Sequence, residues 1–134
     1  QERIASTFDQ EQMIPAAGQG AVGVECRAGD KKLLALLDQL NDTDSAMAVK
    51  VEREFNAVIG GSCQIPAGCH VQIDGDHFKI AGFISEEDGS IQYHAEVEGT
   101  LEELPGSGTT LGQLLADEGG REIIEKILGK AHGA

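Results

Sequence analysis

Cys63 lies in a segment that would present its thiol on a loop. Gly60 and Gly61 come before it and permit backbone conformations that other residues avoid, while Pro66 follows it and disfavours a helix at Ile65. A thiolate held at such a turn can attack an electrophilic carbon and form a stable carbon–sulfur bond. Free cysteines are also common as inert packing, so loop position alone leaves both interpretations open.

Cys69 and His70 lie close to Cys63 in the sequence and suggest two further chemistries. A structural zinc site needs four ligands, usually in close pairs, and the sequence contains no C-x-x-C pair. The remaining ligands would have to come from elsewhere in the chain: Cys26, His77 or His94. A metal site is therefore disfavoured, whereas a thiol-redox domain that uses Cys63 and Cys69 stays an alternative.

Residues 18–23 spell G-x-G-x-x-G, a pattern also found in dinucleotide-binding turns. That interpretation requires a strand before the glycines and a helix that opens on them. Here Pro15 interrupts the preceding segment, and residues 21–26 alternate like a strand, with Val22 and Val24 on one face. We therefore predict a tight turn that leads into a strand, not a nucleotide site.

The formal net charge of −13 limits the partners that this protein can bind. Proteins that bind nucleic acids or anionic membranes carry basic patches, so neither partner is expected. The sequence has no apolar stretch of transmembrane length, and no signal-peptide pattern opens it. Its three cysteines, an odd number, fit reduced thiols, and we expect a cytoplasmic protein.

The elements that would position these residues begin with an irregular segment, residues 1–15, which shows no sustained period. After the strand predicted at residues 21–26, Asp30 is a candidate N-cap for a short helix with leucines at helical spacing. These leucines are Leu33, Leu36, Leu37 and Leu40. Their apolar stripe needs a partner surface, and without one it would be partly exposed and prone to dimerise.

A polar break at residues 41–44 marks a predicted domain boundary. A longer helix is expected over residues 43–59 because apolar residues recur at helical spacing along it. This predicted buried stripe consists of Met47, Val51, Phe55 and Val58. Arg53 on this helix would be a surface residue paired with a neighbouring glutamate, or would hold the helix to another part of the protein.

Three runs of alternating apolar and polar residues predict an antiparallel meander with one wet face. They are residues 69–73, 77–84 and 91–97, and short polar turns separate them. Thr109 or Thr110 could cap a final helical region, which glycines at 119–120 would interrupt. From residue 41 the order is therefore α-β-β-β-α, with helices covering one face of a small sheet.

Three sequence segments together carry a family resemblance: residues 14–27 (IPAAGQGAVGVECR), residues 51–56 (VEREFN) and residues 61–66 (GSCQIP). In order and approximate spacing they resemble the C-terminal part of the hydroxymethylbilane synthase (porphobilinogen deaminase) family. Ser62 stands where the family often has a third glycine, and it is a small residue that such turns accept.

This resemblance implies a cofactor site. Cys63 would carry a dipyrromethane cofactor through a thioether, formed when its sulfur attacks the methylene carbon of an electrophilic azafulvene. Gln19 and Gly20 would lie near the pyrrole chain in the active-site cleft. Four porphobilinogen units would join this primer with loss of ammonia, and water would release the linear tetrapyrrole. No catalytic residue is expected in this chain, because the family's catalytic aspartate lies N-terminal to it. No metal is expected either, because the sequence lacks a paired set of four ligands.

The resemblance also implies how an α/β (α+β) chain is divided. Residues 1–15 would end the family's second domain and cross back to the first, residues 16–40 would give the first domain a strand and a helix, and residues 41–134 would form the C-terminal cofactor-attachment domain. The missing N-terminal domains would be partners and supply most anion-binding groups, so this chain alone is expected to be inactive. Its own arginines are Arg3, Arg27, Arg53 and Arg121.

Two alternatives from other classes compete with this interpretation. The first is a non-catalytic, acidic α/β interaction module that dimerises through the stripe at residues 33–40, and loss of a dimer on Leu36→Glu would favour it. The second is the thiol-redox domain, and a depressed thiol pKa with reversible oxidation of Cys63 and Cys69 would favour that one.

Overall fold

The computed structural model describes residues 3–61 and 64–131, and it confirms the order of elements predicted from residue 41 onward. The helices among these residues are α1 (Lys31–Leu37), α2 (Thr43–Val58), α3 (Ser107–Leu115) and α4 (Arg121–Ala131). The strands are β1 (Ala67–Asp74), β2 (His77–Ser85) and β3 (Gln92–Thr100). A 3-10 turn (Asp38–Leu40) extends α1, and a segment kinked at Gly119 (Ala116–Gly120) joins α3 to α4.

Side-chain caps fix the start of the first two helices. Asp30 caps α1 as predicted, because its carboxylate accepts the Leu33 N–H at 3.1 Å. Asp42 caps α2 by accepting the Ser45 N–H at 2.8 Å. Hydrogen bonds from the side chain and the backbone of Ser45 lower the pKa of Asp42, since they favour its ionised form.

The sheet is an antiparallel meander in the order β1-β2-β3, as predicted. Its register aligns Val71 with Ile80 and Ile80 with Val97, so these apolar side chains share the face on which α2 and α3 pack. The opposite face is polar, and on it Lys79 Nζ lies 2.9 Å from a carboxylate oxygen of Glu96. The alternation in the sequence therefore gives one core face and one wet face.

The core lies between α2, α3 and the sheet. Its fully buried side chains are Phe55, Ile80, Ile84, Leu104, Leu111, Leu115, Val51 and Cys69. The predicted stripe of α2 is confirmed at Val51 and Phe55, whereas Met47 and Val58 are only half-buried at its rim.

The cap predicted at Thr109 or Thr110 is wrong. The helix α3 begins at Ser107, after Gly106 in the left-handed conformation with φ of 88°. The Gly106 N–H donates to a carboxylate oxygen of Glu54 on α2 at 2.9 Å, so a contact with α2 fixes the start of this helix. That contact joins residues far apart in the sequence, which local capping patterns do not reveal.

Gly108 allows α3 to cross α2 closely, and this crossing gives a testable prediction. A Cβ at this position would lie 2.0 Å from the Val51 carbonyl oxygen, so the helices would have to move apart. We expect Gly108→Ala to lower the free energy of unfolding by about 1–3 kcal/mol or more, measured by urea denaturation. The control is Gly129→Ala on α4, where a Cβ meets no described atom within 4 Å and helix propensity favours alanine by up to about 1 kcal/mol. Equal destabilisation by both changes would contradict this account of the crossing.

The strand predicted over residues 21–26 does not form. Residues 21–27 are irregular, and Val22 and Val24 are 91% and 65% exposed. A strand needs a neighbour for its backbone groups, and no segment among the described residues pairs with this one.

The leucine stripe of α1 is exposed as expected, with Leu36 at 61% and Leu40 at 79%. None of the described helices has the length and apolar character that crossing a membrane requires.

Candidate functional site

Cys63, the predicted attachment residue, lies outside the described residues, but the residues on both sides of it are described. The chain leaves the core at Ile59, which is 3% exposed, and returns to it at Ile65, which is 6% exposed. Between these anchors Gly61 and Gln64 are exposed, and the Gly61 N–H donates to the carbonyl of Asn56 at 2.8 Å. Gly60 and Gly61 have φ of 92° and 59°, so the glycines let the chain turn away from α2.

Gln19 and Gly20, the other predicted site residues, belong to a tight double turn. The Gln19 N–H donates to the carbonyl of Ala16 at 2.9 Å, and the Ala21 N–H donates to that of Gly18 at 3.1 Å. Gly18 and Gly20 have φ of 74° and 87°, which is why glycine occupies both positions. The turn predicted from the glycine pattern is confirmed, and Gln19 and Gly20 are exposed at its tip.

Glu52 on α2 attaches this turn to the sheet. Its carboxylate accepts the Gly18 N–H at 2.6 Å through one oxygen and the Val71 N–H at 3.0 Å through the other. The second oxygen also lies 3.3 Å from Nδ1 of His70. Glu52 is only 4% exposed, so a charged side chain links α2, the edge of β1 and the glycine turn in the interior.

Sequence analysis missed this role of Glu52. The available signal was its helical spacing: it follows Ala48 by one turn and precedes Phe55 by nearly one, which places it on the inward face of α2. An acidic residue on an apolar face needs hydrogen-bond donors nearby, because an unpaired buried charge is costly. The inward position of Glu52 could be predicted from the sequence. Its hydrogen-bond donors could not, because they come from distant segments.

Gln19 and Gly20 line an open groove of about 370 Å³ between the turn, the first half of α2 and β1. The other lining residues are Gly18, Ala21, Asp44, Ser45, Ala48, Val49, Glu52, His70, Val71 and Ile73. The groove therefore carries two carboxylates, and neither lysine nor arginine is among these described lining residues. It offers hydrogen-bonding groups, but it lacks the positive charge that a polycarboxylate ligand requires.

Cys69 does not meet the requirements of a reactive thiol. Its side chain is fully buried, and its sulfur donates to the carbonyl of Glu52 at 3.7 Å. Burial and the negative charge of Glu52 raise the pKa of the Cys69 thiol well above its ordinary value of 9.0. The thiol-redox alternative requires an accessible thiolate at this position, and the structure disfavours it.

The raised pKa of Cys69 predicts how stability depends on pH. The folded protein keeps the thiol proton at high pH, whereas the unfolded chain releases it above the ordinary value of 9.0. The associated stabilisation is complete below that pH and is lost as the pH rises through and beyond it, by up to about 1.4 kcal/mol per pH unit. Urea denaturation across this range should therefore show a steeper loss for the wild type than for Cys69→Ala, and parallel curves would contradict the assignment.

The residues that were considered as metal ligands are dispersed. His94 stacks on Phe83 with ring centroids 5.8 Å apart, and Nδ1 of His70 lies 3.3 Å from a carboxylate oxygen of Glu52. Cys26 is half-buried in the irregular segment before α1. Across residues 3–61 and 64–131, no group of three or more histidine, cysteine, aspartate or glutamate side chains is placed to hold a metal ion.

Arg53 is exposed on α2, and no ion pair joins it to any residue that the structure describes. The neighbouring Glu54 is engaged by the Gly106 N–H. The predicted pairing of Arg53 with an adjacent glutamate is therefore not observed, because Glu52 points inward and Glu54 points toward α3.

Two family models match this chain. The model described as "Porphobilinogen deaminase, C-terminal domain" matches residues 46–119, which include Cys63, most of α2, the sheet and α3. The model described as "Porphobilinogen deaminase, dipyromethane cofactor binding domain" matches residues 1–35, which include Gln19 and Gly20. The hydrogen bond from Gly18 to Glu52 therefore joins the segments covered by the two matches.

Proposed function

Because this chain belongs to the porphobilinogen deaminase family, we propose that Cys63 is the residue through which it carries the family's dipyrromethane cofactor, by a thioether. The family assignment gives the reaction: the hydroxymethylbilane synthase step of tetrapyrrole synthesis, a transferase reaction with porphobilinogen as substrate. The single observation that carries this function is the match of both porphobilinogen deaminase models, in order, to one chain.

The described surroundings of Cys63 support its assignment. A group attached through sulfur needs space, and the neighbours Gly61 and Gln64 are exposed between two buried anchors. Among the described residues, a Cβ built on Gly61 would meet only the Asn56 carbonyl oxygen, at 3.9 Å, so Gly61 itself is not crowded by the helix before it. Cys69 is enclosed in the core, and its thiol could not be alkylated without unfolding the start of β1.

The residues of this chain would have distinct tasks around the cofactor. Cys63 would supply the attacking sulfur, and the preceding glycines would let the loop accommodate the bulk of a dipyrrole. The exposed amide of Gln19 and the backbone at Gly20 would lie along the pyrrole chain as hydrogen-bonding groups. When bound, dipyrromethane would serve as the primer onto which porphobilinogen units are added with loss of ammonia.

The distribution of charge supports a proposed division of labour within the family's architecture. Porphobilinogen and its oligomers are carboxylates, whereas this chain has a net charge of −13 and an acidic groove at Gln19. Their charge would have to be balanced by arginines in the family's other segments. We therefore assign no catalytic acid to the 134 residues and expect the chain alone to be inactive.

The domain boundaries are part of the same proposal. Residues 16–40 would belong with the first domain and residues 41–134 would form the cofactor-attachment domain, while residues 1–15 would cross between domains. Support comes from the two model matches, which leave residues 36–45 between them, and from α1, whose exposed leucines require a covering surface. A cytoplasmic location, without nucleic-acid or membrane partners, fits the negative charge.

The intact mass of the purified complete enzyme tests the proposed function. We expect a single population whose mass exceeds that of the polypeptide by one dipyrromethane. The added mass should remain after denaturation, because a thioether bond survives unfolding. A protein with the bare polypeptide mass that nevertheless makes hydroxymethylbilane at the full rate would contradict covalent attachment.

A further inference from the structure

Glu52 has two carboxylate oxygens that reach two different segments. One accepts the Gly18 N–H at 2.6 Å and the other accepts the Val71 N–H at 3.0 Å. β1 is an edge strand, and the Val71 N–H therefore has no strand partner on that side. Glu52 satisfies this edge group and at the same time holds the glycine turn beside it.

The burial of Glu52 makes this arrangement demanding. The residue is 4% exposed, and a carboxylate in such a place must be compensated by donors. The donors are the two backbone N–H groups, and Nδ1 of His70 also lies 3.3 Å from the carboxylate. If the turn moves away, Glu52 loses its shortest hydrogen bond, so the position of the turn and the solvation of the carboxylate are coupled.

Besides Glu52, local hydrogen bonds and apolar packing hold the turn. Its own hydrogen bonds, from Gln19 to Ala16 and from Ala21 to Gly18, fix its shape, and the half-buried Ala17 packs against the hydrophobic core. Pro15, just before the turn, lies close to β1: a Cβ on Gly68 of that strand would meet the Pro15 carbonyl oxygen at 2.7 Å. The segment that follows the turn, residues 21–27, is irregular and largely exposed.

We propose that Glu52 is a positioning residue that fixes the turn at residues 18–20 against the edge of β1, and thereby sets where Gln19 and Gly20 stand relative to the cofactor-bearing domain. Its relevance to catalysis rests on the proposed function, which places both residues along the pyrrole chain. The positioning itself concerns only contacts within this chain and can be tested without substrate.

Amide hydrogen exchange of the 134-residue chain, resolved by NMR, tests the positioning. Glu52→Gln keeps the length of the side chain but replaces one acceptor oxygen by a donor, and Glu52→Asp keeps the charge but shortens the reach. We expect exchange at Gly18 or Val71 to become about tenfold faster or more in each variant, because a charge-assisted hydrogen bond is lost. Unchanged exchange at both amides in both variants would overturn the inference, whatever Cys63 carries.

Glu54→Gln is the matched control. Glu54 lies on the same helix and likewise accepts a distant backbone N–H, that of Gly106 at 2.9 Å. The Glu54→Gln substitution should accelerate amide exchange at Gly106 and leave the exchange rates of Gly18 and Val71 unchanged. Faster exchange at Gly18 in this control would mean that general loosening of α2, not the Glu52 contact, controls the turn, and it would also overturn the inference.

Kinetics of the complete enzyme then test the consequence for the reaction. We expect Glu52→Gln to lower kcat/KM for porphobilinogen about tenfold or more, with the dipyrromethane content per folded protein unchanged. A purely structural role would lower the amount of folded, loaded enzyme and leave both its kcat/KM and the exchange at Gly18 unaltered, which would overturn the positioning role. Faster Gly18 exchange with unaltered kinetics would instead refute the proposed placement of Gln19 and Gly20, so the two failures are distinguishable.

Discussion

Replacing Cys63 by serine in the complete enzyme is expected to abolish both covalent cofactor attachment and bilane formation. A serine hydroxyl is a far weaker nucleophile than a thiolate, so the proposed attachment of the primer could not form. Without an anchored primer, added pyrrole units have nothing to hold them in the active site. The expected loss of turnover is complete within detection, since no other described residue provides an accessible sulfur close to this loop.

Cys26→Ser is the matched control for this prediction. Cys26 is only half-buried, and it lies within the segment matched by the cofactor-binding model, so it is the strongest competing attachment site. We expect this variant to retain the full cofactor mass and its activity. Loss of the cofactor in Cys26→Ser, with retention in Cys63→Ser, would reverse the assignment.

The second large effect concerns the 134-residue chain by itself, which is expected to form no detectable hydroxymethylbilane from porphobilinogen. The substrate carries carboxylates, while this chain has a net charge of −13, and the groove at Gln19 contains Asp44 and Glu52 without a described lysine or arginine. Repulsion and the lack of a bidentate cation disfavour binding of each added unit. The measurement is the appearance of linear tetrapyrrole after prolonged incubation with porphobilinogen.

Two comparisons make that experiment decisive. The complete enzyme, at the same concentration, shows that the assay detects turnover, and cooperative thermal unfolding of the chain shows that it is folded. A folded chain that produces bilane at a measurable rate would contradict our assignment of the catalytic acid and the anion-binding groups to the family's other segments.

Much of the fold after residue 41 could be predicted because its signals are local and periodic. The spacing of Val51 and Phe55 defined the inner face of α2, and two-residue alternation around Ile80 defined the sheet. Glycine and aspartate between the alternating runs fixed the hairpins and hence the meander. These features depend on residues close in the chain, so the sequence alone could reveal them.

The predictions that failed depend on contacts between distant segments. Residues 21–26 alternate like a strand, but a strand forms only where a neighbour pairs with it, and no described segment does. The start of α3 is determined by Glu54 and not by a threonine cap. The role of Glu52 was likewise invisible, because its donors at Gly18 and Val71 are far away in the sequence.

The candidate site divides in the same way. Turn chemistry predicted a turn at Gln19, which is confirmed, and a loop at Cys63, which lies outside the described residues. Only the family resemblance connected the two residues to one cofactor. The structure adds that the turn is attached to the edge of β1 through Glu52 and that Cys69 is enclosed. Sequence spacing alone could not reveal that Cys69 is enclosed, because its burial depends on packing between α2 and the sheet.

Peptide mass mapping of the complete enzyme tests the attachment of dipyrromethane to Cys63 most directly. Trypsin leaves Cys63 and Cys69 on one peptide, residues 54–79, because neither lysine nor arginine lies between Arg53 and Lys79. Fragmentation on the N-terminal side of Pro66, which lies between the two cysteines, assigns the added mass to one of them. We predict that the pyrrole adduct resides on the fragment that contains Cys63; an adduct on the fragment with Cys69, or on the peptide with Cys26, would contradict the account.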